Sequence, residues 1–168
     1  MSRNVTVVGM KNEIQSTEQR GNRSGVLVGR FDHALDPKKR LTIPSEWRSA
    51  LGRPEYIYVF PNPHEECLDL VPREEMETRL EKLRKAAFFD PEMGKILQAI
   101  GESAQQLEFD VQGRIRIGDK LLKYAGLSGQ VAMVGAINRA KLWNPEKLPP
   151  EEKVDTAKLR DALSKFAF

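Results

Sequence analysis

The chain matches itself, and that limits what it can fold into more than any other feature. At an offset of 74 positions, the separation of Asp36 and Asp110, Leu35-Asp36-Pro37-Lys38-Lys39-Arg40-Leu41-Thr42-Ile43 faces Phe109-Asp110-Val111-Gln112-Gly113-Arg114-Ile115-Arg116-Ile117. Asp and Arg coincide, an apolar residue precedes each Asp, and the apolar/polar alternation after each Arg is kept. The register continues: Trp47 faces Leu121, Gly52 faces Gly126, Ile57 to Val59 face Val131 to Met133, Leu68 faces Leu142, and after a one-residue slip Pro72 faces Pro145. Only two copies at this period exclude a solenoid. A unit of about 45 residues is too small to bury much apolar surface alone, so the two are expected to share one core.

Each unit reads as strand, Asp-x-x-x-Arg turn, strand, short helix, strand, strand. In the first, Val26 to Leu35 and Leu41 to Ile43 flank Asp36-Pro37-Lys38-Lys39-Arg40, where Pro suits position i+1 of a type I turn, so a hairpin is expected. Ser45 is the expected N-cap of a helix over Glu46 to Leu51 that buries Trp47, Ala50 and Leu51 and stops at Gly52. Strands follow at Tyr56 to Phe60 and Cys67 to Val71. Between the units lie two helical stretches, Arg73 to Phe88 with Met76, Leu80, Leu83 and Ala87 on one side, and a second opened by Pro91 with Met93, Ile96, Leu97 and Ile100. After Pro149-Pro150, Val154 to Phe166 can form a helix with Leu159, Leu163 and Phe166 aligned. This gives an arm at 1–25, a first repeat at 26–72, a helical insert at 73–104, a second repeat at 105–148 and a C-terminal helix at 149–168. The fold class expected is α+β, with the strands closing as a compact barrel that removes exposed edges.

Composition adds boundaries. At 168 residues, 40% hydrophobic and 30% charged, the chain has the makings of an ordinary globular protein. Its single cysteine, Cys67, permits no internal disulfide, so a reducing cytosolic compartment is the default. No window approaches the roughly 20 apolar residues of a membrane helix, and Met1 to Asn22 lack the apolar core of a signal peptide. No P-loop, dinucleotide turn, His-Glu-x-x-His or paired-Cys spacing is present, and His33 and His64 stand alone, so neither catalysis nor a metal or other cofactor is expected. The net charge of +3 is uneven. Basic residues prevail in the arm, the first repeat and the tail, while Glu and Asp prevail between Pro54 and Ala104, a distribution compatible with an anionic partner.

In each turn the Asp carboxylate can accept backbone N–H groups two residues on, while Arg emerges at the start of the next strand. Asp36 with Arg40, and Asp110 with Arg114, could do no more than tie their own turns together. The first turn, however, adds Lys38 and Lys39, with Arg48 and Arg53 close behind, more cationic charge than a turn requires.

The paired motifs, each followed by a short helix and a closing Leu-Asp or Leu-Trp strand, resemble the duplicated signature of the MraZ family, a branch of the AbrB-like swapped-hairpin transcription factors. The resemblance runs from about Val28 to Leu148 and does not reach the arm, whose Arg20 and Arg23 stay unassigned. It implies a duplicated swapped-hairpin barrel and a cytoplasmic, nucleoid-associated regulator that binds double-stranded DNA at the promoter of the division and cell-wall gene cluster. It also implies a homo-oligomeric ring, with no membrane and no small-molecule substrate. By the family pattern the DNA contacts fall on Lys38 and Arg40, with Arg114 in the second motif; Lys39, Arg48 and Arg53 are further candidates from the chemistry, and Asp36 and Asp110 hold the turns. The chain departs from the pattern at Lys39, where the family usually has Gly, and at Gly118, where it usually has Pro. An altered first turn or an extra phosphate contact, and a looser second junction, are the expected consequences. Two other readings stay open: an AbrB-like antitoxin or transition-state-type regulator whose C-terminal helix wraps a protein partner, and a scaffold that binds no DNA.

Overall fold

A computed structural model describes residues 25–151 and 153–166; the arm, with Arg20 and Arg23, lies outside them except for Gly25. Each repeat follows the expected order. The first contributes β1 (Arg30–Ala34), β2 (Arg40–Thr42), α1 (Ser45–Ala50), β3 (Tyr56–Pro61) and β4 (Leu68–Val71). The second contributes β5 (Gln105–Glu108), β6 (Arg114–Arg116), α4 (Asp119–Ala125), β7 (Gln130–Gly135) and β8 (Ala140–Trp143). Helices α2 (Arg73–Ala87) and α3 (Pro91–Ser103) lie between them, and α5 (Thr156–Ser164) follows. Among the described residues no helix is long and apolar enough to cross a membrane.

The pairing of strands differs from the hairpin reading. β1 and β2 are joined by a tight turn yet do not pair with each other. β1 runs antiparallel to β7, with Phe31 opposite Met133, and β2 runs antiparallel to β6, with Leu41 opposite Ile115. The result is a six-stranded antiparallel sheet in the order β1-β7-β8-β4-β3-β5 and a separate two-stranded ribbon of β2 and β6. No barrel closes. β2 and β6 are three residues each and spend their ladder bonds on one another, so no ladder joins the sheet edges β1 and β5.

Period-2 alternation explains the core. Leu41 and Ile115 face inward from the ribbon and are fully buried, meeting Ile57, Val59, Leu68, Leu70, Val131, Met133 and Leu142 from the sheet. Ile43, Trp47, Ile117 and Leu121 join the same cluster. Residues of both repeats are interleaved in it, so each unit's apolar surface is covered by the other's. On the opposite side of the sheet Cys67, Ala132 and Trp143 form a smaller cluster. Burial, with the charges of Asp69 and Glu65, pushes the Cys67 thiol up to about 12, which leaves almost no thiolate near neutral pH.

The helices are less buried than their periodicity suggests. Of the apolar stripe on α2 only Met76 is buried, and α3 buries no residue fully. The acidic character of this insert is largely balanced within it, through Arg73–Glu77, Arg79–Glu75 and Lys85–Glu81 pairs one turn apart. α3 begins as its sequence dictates, with Pro91 in its first turn and the Asp90 carboxylate accepting the Glu92 N–H at 2.9 Å. α5 starts two residues later than Val154, capped by Asp155, and Leu159, Leu163 and Phe166 are exposed. Ser45 is not an N-cap: Pro44 holds that position, Ser45 is the first helical residue, and its hydroxyl donates to Glu46.

Candidate nucleic-acid interface

The two Asp-x-x-x-Arg turns have one geometry. Asp36 Oδ1 accepts the N–H groups of Lys38 and Arg40 at 2.9 and 2.8 Å, and its Oδ2 accepts Arg40 Nε at 2.6 Å. Asp110 does the same for Gln112, Arg114 and Arg114 Nε at 2.9, 2.9 and 2.7 Å. The turns then clasp each other: the Ile43 N–H donates to the Gly113 carbonyl and the Ile117 N–H to the Lys39 carbonyl, both at 3.0 Å. Arg114 Nη1 also lies 3.9 Å from Asp36 Oδ2, an ion pair that crosses the repeats.

Gly113 has φ of 76° and Lys39 has φ of 62°. The left-handed region suits glycine and costs other residues roughly 1 kcal/mol or more. Lys39 therefore takes the backbone shape of the glycine it stands in for, and the turn is preserved. At the other departure, Gly118 keeps its N–H, which donates to Gln105 Oε1 at 3.1 Å, and the Gln105 side chain fills the space a Cβ there would need. A proline could make no such bond. The junction expected to be looser is tied to β5 instead.

The ribbon's outer face is built by alternation: with Leu41 and Ile115 turned inward, Arg40, Thr42, Arg114 and Arg116 turn outward. Arg40 and Arg116 stand opposite each other in the register. Arg40 and Arg114 keep 30% and 24% of their side chains exposed, and Arg116 is more open. Lys38 is exposed on the turn, and Lys39 reaches across to pair with Asp119 at the start of α4. Arg48 is half-buried: its Nε donates to the Ile43 carbonyl at 3.1 Å and its guanidinium lies over Gly113 of the second turn. Arg53 is exposed just beyond α1 with φ of 52°. The ribbon thus gathers Lys38, Lys39, Arg40 and Arg114, while Arg48 braces the second turn. Sequence reasoning missed Arg116 and Asp119. Arg116 was readable, two residues after Arg114 on a period-2 strand; Asp119 was not, because its partner is 80 residues away.

The turn carboxylates tie stability to pH. Burial pushes Asp36 up, but the Arg40 and Lys38 N–H groups and the Arg40 guanidinium outweigh it, so it titrates below the ordinary aspartate range. Asp110 is held low as well, most of all by the Arg114 N–H. Folded values below an unfolded value of about 3.9 mean the unfolded chain binds protons more readily; the contribution is present above that value and lost as pH falls through the folded ones. Thermal melts should show an unchanged midpoint between about pH 7 and 5 and a decline below about pH 4, smaller in Asp36→Asn/Asp110→Asn. Equal midpoints at neutral pH and near pH 3 would contradict this account.

Residues 101–148 match the family model of an antitoxin-like "MraZ protein". A "Transcriptional regulator MraZ" of Thermomicrobium roseum is 33% identical over 121 residues, 72% of this chain and 83% of that protein. Its namesake in Saccharopolyspora erythraea is 31% identical over 141 residues, covering 82% of this chain and 96% of the relative. That of Clostridium acetobutylicum is 27% identical over 143 residues, covering 84% and 99%. These relatives are named as regulators, not as enzymes. Similarity of this extent over most of the chain places it in the MraZ family of transcriptional regulators.

Proposed function

We propose that this protein is a sequence-specific, DNA-binding transcription regulator that acts through the β2–β6 ribbon and its two turns. The observation that carries this reading is the convergence of Arg40, Arg114 and Arg116 on the ribbon's outer face, with Lys38 and Lys39 at its end. A two-stranded ribbon fits the major groove. Arg40 is suited to reading a base because Asp36 occupies Nε and fixes the guanidinium, leaving its terminal nitrogens to meet guanine O6 and N7. Lys38 and Lys39 are suited to phosphates, as point charges. Arg114 and Arg116 extend the same strip, and Arg53 lies near enough in sequence to be a peripheral contact.

The exchange of strand partners between repeats is what a swapped-hairpin fold requires, and the family resemblance supports the rest of the assignment. The target is the promoter of the division and cell-wall gene cluster. The setting is the cytoplasm and its nucleoid, and the assembly is a ring of identical subunits. Head-to-tail contacts in such a ring orient every ribbon alike, so the site consists of direct repeats about one helical turn, roughly 10 bp, apart.

A gel shift with the protein's own upstream region at about 50 and 200 mM salt tests this. Retardation should be sequence-selective, and several ribbons bound together should lose about 10³-fold or more in affinity over that range. Absence of retardation at either salt would overturn the reading.

A further inference from the structure

We propose that Asp119 is an internal stand-in for a DNA phosphate: it occupies the Lys39 ammonium and holds down affinity for duplexes of any sequence. The inference rests on the assignment of the ribbon face to DNA and adds a residue that limits binding there.

The Lys39 backbone is fixed in the left-handed region, with its carbonyl accepting the Ile117 N–H at 3.0 Å. From there its ammonium meets the Asp119 carboxylate, joining turn 1 of the first repeat to α4 of the second. Arg116 stands opposite Arg40 in the ribbon, is exposed, and makes no hydrogen bond among the described residues. Asp119 titrates below the ordinary aspartate range, with Lys39 the largest cause and the Arg116 charge adding to it. The carboxylate thus pairs with a lysine at the edge of a basic strip, where a phosphate oxygen would meet the same ammonium.

The pair is not a requirement of the repeated unit. At the offset of 74, Lys39 corresponds to Gly113 and Asp119 to Ser45, so the other half forms the same turn with neither charge. Nor is it buried: the Lys39 and Asp119 side chains are 48% and 78% exposed, within reach of water and of a competing anion. An exposed ion pair contributes little to stability. Its location, where Lys39 would otherwise be free to take a phosphate, gives it a consequence for binding.

The test is fluorescence anisotropy of the full chain with a labelled duplex of its own upstream region and a scrambled duplex of equal length, across a salt series. Wild type, Asp119→Asn, Lys39→Ala and the double variant are compared. Asp119→Ser, which restores the residue found at the equivalent Ser45, serves as a second replacement should Asn perturb α4. Asp119→Asn and Asp119→Ser should bind both duplexes about two- to fivefold more tightly per contacting subunit. The salt slope should steepen by about one per contacting subunit. The gain should shrink in the Lys39→Ala background. Unchanged affinity and slope in both Asp119 variants, with wild type binding normally, would overturn this inference and leave the DNA reading intact; so would an equal gain with Lys39 removed. Wild type that bound neither duplex would overturn the DNA reading and this inference with it.

Discussion

Trp47→Ala should lower stability by about 3–5 kcal/mol, the range found for deleting a buried Trp or Phe side chain. The indole is 1% exposed within the core shared by both repeats. Its ring stands edge-on to Phe31 with centroids 5.2 Å apart and an interplanar angle of 81°, and its N–H donates to the Val28 carbonyl at 2.7 Å. The substitution removes aromatic packing between α1 and β1, leaves a cavity in the shared core, and frees the segment that leads into β1. For a chain of this size the loss corresponds to a melting midpoint roughly 6–20 °C lower, measured by circular dichroism at fixed protein concentration. Trp47→Phe should recover much of it, because the ring contact with Phe31 persists. A midpoint within a degree or so of wild type in Trp47→Ala would mean that the two repeats are not held through this residue.

The second large effect expected is on recognition. Arg40→Ala should weaken binding to the upstream duplex by about 1–3 kcal/mol for each base the residue reads, or roughly 5- to 150-fold. It should also narrow the gap between specific and scrambled duplexes. Arg40→Lys should not restore it, since an ammonium cannot make the paired contact of a guanidinium or take up Asp36 Nε–carboxylate geometry. Lys38→Ala, by contrast, should weaken both duplexes alike. Equal affinity for the upstream duplex in Arg40→Ala, with an unchanged circular dichroism spectrum, would remove Arg40 from the base-reading role.

Much of the local structure was legible in the residues themselves. The offset of 74 identified both units, and the order of elements in each follows from alternation, turn residues and the Pro and Gly punctuation. Trp47 and Leu51 are buried as the helical spacing requires, while Ala50 is only half-buried. Strand partners were not legible. β1 and β2 carry no pattern that distinguishes pairing with each other from pairing with β7 and β6, because alternation specifies which face is apolar and not which neighbour lies alongside. For the same reason barrel closure could be expected but not read. The helical stripes on α2, α3 and α5 misled in another way: periodicity shows that a face could be buried, while Leu159 and Leu163 show that it need not be within one chain. At the candidate interface, residue types marked the turns, but the contact of Arg48 with Gly113 and the Lys39–Asp119 pair depend on contacts between repeats far apart in sequence.

The exchange of partners between repeats also bears on how the chain is made. During synthesis, Leu41 meets its partner only after Ile115 has emerged, Phe31 waits for Met133, and Leu68 waits for Leu142. At about 5–20 residues per second, β1 and β2 stay unpaired for several seconds or more, their ladder edges open, while β3 and β4 can already pair with each other. Pairings of such long sequence separation also form slowly once available. A chain that stops before β6 and β7 therefore lacks the partners of β2 and β1 and the residues that cover the first repeat's apolar face.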